Sequence, residues 1–304
     1  MKTVLVALQM NAADETVLAW SRVLCQRFGA ERLVLLGLDE RLAMEAEIAA
    51  YLPELLEEAP PVADLLDYLE ERRKLCASWA PQVETELRRG EAWKEVLAAS
   101  REIAADLLVL PRSLGNDDDL DGATMAARRV VRKAPCEVLC VGSAAPGKLL
   151  RALVPIDFSE RSLGALRVAL RFVRGTSGRV TAMHVFRVPR GAATKPIDME
   201  EIAARLERGL LERIGEIVAA EPASDRERLE ASVVQSPQPV PAVIAETARA
   251  NAVELLCIGS RGRTPLAALA LGSVAEGVLE RSPIALYVHK EKGETLGLLD
   301  ALGI

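Results

Sequence analysis

The chain has 304 residues, of which half are hydrophobic and 3% aromatic, and it carries a net charge of −6 at pH 7. That length suits about two domains. The acidic balance, with no contiguous Lys/Arg stripe interleaved with aromatics, argues against a nucleic-acid binder. No run approaches the ~18 uninterrupted apolar residues of a membrane span, and Thr3 to Leu8 is too short for a secretory leader.

The five cysteines, an odd number scattered through apolar surroundings, read as the thiols of a reduced, cytoplasmic protein. In chain order, the apolar run Val4 to Leu8 opens the first half as a strand. A long helical region between Asp39 and Ala80 follows, broken by Pro53 and Pro60-Pro61. Ala105 to Leu110 and Pro135 to Leu139 close that half as strand regions. Cys136 and Cys140, four apart, share a strand face, and buried packing explains them better than a metal site, which would need further ligands. Gly142 to Gly147 reads as a small-residue linker.

The second half alternates regularly. Leu150 to Ile156 is a strand, and Ser159 or Ser162 can cap a helix through Leu163, Leu166, Leu170 and Val173 that ends at Gly175. Val180 to Phe186 is the second strand. Asp198 with Glu201 then makes a capping-box-like start for a helix through Leu206, Leu210, Ile214 and Ile217. Leu229 to Val234, Leu255 to Ile258 and Ile284 to Val288 read as strands, with helices at Pro241 to Ala250 and up to Arg281. In the last helix Val274, Val278 and Leu279 are placed on one face.

The two halves repeat. Val154 lies 148 residues after Val6, Glu254 the same distance after Asp106, and Pro283 the same distance after Pro135. Strand and helix alternation with short connections gives an α/β fold: two tandem Rossmann-like domains, each a five-stranded parallel sheet with helices on both faces. Their boundaries are placed at 1–142 and 149–304.

Gly259-Ser260-Arg261-Gly262, followed nine residues later by Gly272-Ser273, is the stretch richest in chemistry. It lies between a buried strand and a helix. Glycines let the backbone approach a ligand, and a helix N-terminus offers N–H groups and partial positive charge to phosphate. The duller alternative is that Gly259 and Gly262 merely end a strand and turn the chain. No G-x-x-x-x-G-K-[ST] motif is present, which argues against a Walker-type motor.

On Val154-Pro155-Ile156-Asp157-Phe158-Ser159, Met183-His184-Val185, the Gly259/Gly262/Gly272-Ser273 spacing and Pro283, the sequence resembles the universal stress protein family in both halves. The resemblance implies an adenine nucleotide, ATP with Mg²⁺ bound through its phosphates, in the crevice at the strand C-termini. Asp157 would then sit near adenine and ribose, Pro155 would shape that turn, and Val185 would line the base pocket. Gly259 and Gly262 would bring backbone against ribose and phosphates, and Gly272, Ser273 and Val274 would hold the phosphate tail. Arg261 either contributes charge or points to solvent, and Asp157 can instead cap the following helix or do both.

The first half departs from this pattern. Pro111, Arg112, Ser113 and Leu114 face the first glycine loop at the 148-residue offset, Thr124-Met125 face Gly272-Ser273, and Gln9 faces Asp157. Asp117, Asp118, Asp119 and Asp121 put carboxylates where phosphates would lie. One nucleotide site per chain is expected, in the second half.

With only His184 and His289 in the chain and no carboxylate or cysteine at catalytic spacing, His184 reads as a strand-end packing residue. The expected function is a nucleotide-dependent stress-response regulator that is not an enzyme, beyond weak ATPase activity at most, and that acts through an unidentified protein partner. The alternatives are a slow ATPase or other adenine-nucleotide enzyme, or an interaction protein whose site stays empty. The resemblance further implies a pseudo-dimer of the two domains through Glu137 to Val141 and Ile284 to Val288, with a homodimer beyond it open. The apolar tail Leu296 to Ile304 reads as packing on a domain or a neighbour.

Overall fold

The computed structural model describes residues 1–39, 62–115, 123–147, 151–186, 199–262 and 271–290. These form two compact units that part between Ala145 and Pro146. Pro53, Pro60-Pro61, the acidic run Asp117 to Asp121, the proposed cap Asp198 and the tail Leu296 to Ile304 lie outside the described residues.

The first unit contains β1 Thr3–Leu8, α1 Ala13–Phe28, β2 Arg32–Asp39, α2 Val62–Cys76, β3 Gln82–Arg89, α3 Ala92–Glu102, β4 Leu107–Pro111, α4 Met125–Lys133 and β5 Glu137–Val141. Its strands are ordered β3-β2-β1-β4-β5 and every pairing is parallel. Parallel strands covered on both faces need continuous apolar runs. Accordingly Val4 to Leu8 and Leu107 to Leu110 are each fully buried.

The second unit contains β6 Arg151–Pro155, α5 Glu160–Val173, β7 Arg179–Phe186, α6 Met199–Ile217, the short α7 Ala223–Arg226, β8 Leu229–Gln235, α8 Val240–Ala250, β9 Leu255–Gly259, α9 Ser273–Arg281 and β10 Ala285–His289. The order β8-β7-β6-β9-β10 repeats the first unit, again all parallel. In both units the strand order reverses beside the first strand, which opens a crevice at the strand C-termini. Ser159 caps α5 by accepting from the Ser162 N–H at 3.2 Å. The expected helix end at Gly175 is confirmed, at φ +70°. Leu206 differs from its expected core position: it is 37% exposed, while Leu210 and Ile214 carry the buried face of α6.

The repeat extends to backbone details that no residue pattern reveals. The Asp106 carboxylate accepts from the Lys2 and Thr3 N–H groups at 2.6 and 3.1 Å, and Glu254 does the same for Gly147 and Arg151 at 2.7 and 3.1 Å. Each carboxylate pins the entry of a central strand. Helices α3 and α8 both end in Schellman motifs. Ala104 and Ala105 donate to Arg101 and Ser100, and Ala252 and Val253 donate to Arg249 and Ala248. In both, the left-handed residue that glycine normally supplies is an exposed alanine at φ +48°.

A left-handed alanine is strained, and neither methyl is buried. Ala104→Gly and Ala252→Gly should therefore each raise stability by about 1 kcal/mol. Urea unfolding checks this; an unchanged or lowered midpoint in both variants contradicts the cap assignment.

Candidate functional site

The crevice of the second unit begins where β6 and β9 part. Their ladder holds only at Ala152 with Leu255 and Leu153 with Leu256. Beyond it the Ile156 N–H donates to Met183 on β7. Alternation along a strand turns the neighbouring residue toward β9, and that residue is Pro155, which has no N–H to give. The strands separate there, and a cavity of about 630 Å³ opens between them. That is within the usual range for small-molecule sites, roughly 300–1,000 Å³.

Asp157 organises one wall. Its Oδ1 accepts from the Ser159 N–H at 3.0 Å and the Ser159 hydroxyl at 2.6 Å, and Ser159 in turn caps α5. The carboxylate thus supports the helix cap, one of the two roles open from sequence, while still lining the crevice. A Cβ on Gly262 would lie 2.6 Å from Asp157 Oδ2, so with glycine the loop approaches this carboxylate without displacing it. Gly259 has a different cause. Its Cβ would meet Arg161 Cβ at 2.8 Å and the Ser162 nitrogen at 3.0 Å, so the missing side chain admits the α5 backbone.

Gly272 is the N-cap of α9 and offers no side-chain cap. Its own N–H donates to the Ser260 carbonyl at 2.7 Å, and Ser260 donates to the His289 carbonyl at 2.8 Å. That chain of bonds fixes the start of α9 against the ends of β9 and β10. The first helical N–H groups, on Ser273, Val274 and Ala275, have no acceptor within the helix. All three residues line the cavity. Val274 is a half-buried crevice wall although it shares a periodic face with Val278 and Leu279; Ala275, Val278 and Leu279 are the buried face of α9.

Met183, His184 and Val185 form the opposite, more apolar side. His184 Nδ1 lies 2.7 Å from the Ile156 carbonyl, which can only accept, so Nδ1 carries the proton. The ring packs on Phe158 at 5.4 Å. Phe158 sits at φ +65°, as does its first-unit counterpart Met10 at φ +56°, so the unusual turn belongs to the fold of both units.

The corresponding place in the first unit carries different side chains with bonds of their own. Thr124 stands at the position of Gly272 and donates its N–H to Arg112 at 2.9 Å, while Arg112 donates to Val141, the same pair of bonds. Unlike glycine, Thr124 caps its helix, accepting from the Ala127 N–H at 3.2 Å. Leu114, at the Gly262 position, is fully buried. Gln9, at the Asp157 position, reaches Gly115 and Ser113. The loop is tied instead by Asp14, which accepts from the Gln9 and Met10 N–H groups and from the Tyr68 hydroxyl. Burial, the largest effect, raises the Asp14 carboxyl above its ordinary pKa despite these bonds.

The structure gathers Pro155, Asp157, Val185, Gly259, Arg261, Gly262, Gly272, Ser273 and Val274 around one cavity. Sequence reasoning missed Ser162, Val240 and Leu271, which line it too, and missed the Thr124 cap. The cap had a signal: a threonine directly before a helical run. All five cysteines are buried, and burial pushes Cys25 and Cys140 to about 11 and Cys76 to about 12, which makes them poor nucleophiles. Among the described residues no group of three or more His, Cys, Asp or Glu side chains is placed to hold a metal, and no helix is long and apolar enough to cross a membrane.

Comparison with known proteins places this architecture. A search among curated proteins finds no match. Among solved structures, a Pseudomonas aeruginosa UCBPP-PA14 protein provisionally assigned as a universal stress protein aligns over 100% of this chain and 98% of its own, at 18% identity and a TM-score of 0.67. A functionally unknown protein from P. aeruginosa PAO1 aligns over 100% and 97%, at 18% identity and 0.66. A universal stress protein from Archaeoglobus fulgidus DSM 4304 aligns over 96% and 97%, at 19% identity and 0.61. At these identities the likeness establishes the fold. The profile of the Universal stress protein family matches twice, at residues 1–142 and 149–290. The chain belongs to the universal stress protein family, as a tandem member with two copies of the domain.

Proposed function

We propose that the second unit binds one adenine nucleotide, ATP, and that the protein acts as a nucleotide-dependent regulator in a stress response and not as a turnover enzyme. The observation that carries this reading is the uncapped start of α9 facing a cavity of about 630 Å³. A polyanion is the natural occupant of such an N-terminus. The residues fit the group: Ser273, Val274 and Ala275 would supply main-chain N–H groups to the phosphates, with the Ser273 hydroxyl beside them. Gly262 would keep the loop low over ribose, and Asp157 Oδ2, on the crevice side of the Ser159 tie, would accept from a ribose hydroxyl. Met183 and Val185 would bracket the base. Mg²⁺ would ride on the phosphates.

The regulator reading is supported by how the polar groups of the crevice are committed. Asp157 is tied to Ser159 and His184 Nδ1 to a carbonyl. Neither is arranged as a base beside a nucleophile. With Mg²⁺ and saturating ATP, hydrolysis should stay well below about 1 s⁻¹, the lower edge of ordinary enzyme turnover. A phosphate-release assay showing faster turnover contradicts a binding role and favours the slow-ATPase alternative.

The one-site claim has a test that separates binding from folding. Ser273 is exposed at the first position of α9. An acidic residue there suits the helix dipole, so Ser273→Asp should keep or slightly raise stability while its charge excludes phosphate. Wild type should gain about 2.7 kcal/mol at ATP near 100 times its Kd. Ser273→Asp should lose that gain, and Gln9→Ala in the first unit should keep it. Thermal unfolding with and without ATP checks all three; equal loss in both variants contradicts a single site.

A further inference from the structure

The two units differ in a second way, on the outer face of the helix that corresponds to α9. In the first unit this helix, α4, reads Met-Ala-Ala-Arg-Arg-Val-Val-Arg-Lys, with four cations and no carboxylate. Its counterpart α9 carries Glu276 and Glu280 against the single cation Arg281. Both helices pack in the same fold, so the basic character of α4 is not a requirement of the architecture. Cations in the last turn suit the helix dipole, which accounts for Arg132 and Lys133 but not for Arg128 and Arg129 in mid-helix.

Met125, Arg129 and Lys133 lie four residues apart and form one exposed stripe, with Met125 50% exposed. Beside it, at the start of α3, stands the half-buried Trp93. Lys94 Nζ, Arg129 Cζ and Lys133 Nζ lie 5.5, 5.3 and 5.4 Å from its ring centre. Three cations converge on one indole, and among the described residues one carboxylate, Glu91, meets them, bound to Lys94 at 2.8 Å. Glu91 also feels the charge of Arg129, but among the described residues no carboxylate forms a salt bridge with Arg129 or Lys133. This concentration occurs in a chain whose net charge is −6. The basic run of α4 has no aromatic within it, and Trp93 joins it only because α3 and α4 bring the groups together from positions more than thirty residues apart.

We propose that this α3–α4 face is a docking surface for an acidic, partly apolar segment of a partner protein. Carboxylates of the segment would pair with Arg129, Lys133 and Lys94, and an apolar side chain would cover Met125 and the open part of Trp93. The patch is compact and holds one aromatic, which suits a short peptide better than a nucleic acid, whose binding needs a run of phosphate contacts. The surface belongs to the first unit and the proposed nucleotide crevice to the second, so the proposal does not rest on the nucleotide reading.

The test uses the full chain and a fluorescein-labelled peptide of repeating Glu-Glu-Leu, read by anisotropy. The peptide should bind wild type, and binding should weaken about tenfold or more in Arg129→Gln/Lys133→Gln and in about 0.5 M NaCl. Both positions are exposed, so the variant should keep its melting temperature, which shows that a loss is local. Arg205→Gln, at an exposed cation on α6, should leave binding unchanged. No binding to wild type, equal binding to the double variant, or displacement by an oligothymidylate of matched length more readily than by unlabelled peptide would each overturn the proposal.

Discussion

A helix begins with N–H groups that its own backbone cannot satisfy, and the two halves of this protein meet that demand in different ways. In the first, Thr124 turns its hydroxyl onto the Ala127 N–H and closes the end of α4. In the second, Gly272 has no side chain to give, and α9 begins open beside a cavity. The scaffolds behind these two ends match bond for bond: Thr124 to Arg112 to Val141 in one, Gly272 to Ser260 to His289 in the other. The same fold thus presents a helix start with a side-chain cap and one without. An uncapped start facing a crevice offers its N–H groups to an anion.

The surrounding residues follow from this difference. Pro155 removes a ladder donor and lets β6 and β9 part, which makes room in front of α9. Gly262 lets its loop lie close to Asp157, and Gly259 lets α5 lie close to β9. In the first unit Leu114 stands at the position of Gly262 and is fully buried. Asp14 and Tyr68 stiffen a loop that Asp157 and Ser159 stiffen in the second unit. The first unit shares the strand order of the second and commits its polar groups here to internal bonds. Its α4 carries four cations and no carboxylate.

The sheets, their strand order and the duplication were legible because buried parallel strands need unbroken apolar runs and the repeat has one offset throughout. The glycine loop and the Gly272-Ser273 helix start were legible because glycine spacing between a strand and a helix carries a backbone requirement, whereas Pro155, Asp157 and Val185 were expected only through the family resemblance. What was not legible depends on contacts between distant segments. Sequence alone assigned Gly259 to ligand approach, but its immediate cause is the α5 backbone. Val274 shares a periodic face with Val278 and Leu279, yet unlike them it stands half-buried on the crevice wall, where the family resemblance places it. Leu206 has the period of a core residue too, yet the buried face of α6 runs through Leu210 and Ile214. The cluster around Trp93 exists only once α3 and α4 lie together.

Amide hydrogen exchange with and without Mg²⁺-ATP examines the open-terminus claim at the groups concerned. Slowed exchange at Ser273, Val274 and Ala275, with no change at Met125, Ala126 and Ala127, is the result this account requires. Protection of the α4 amides with none at the start of α9 would contradict it.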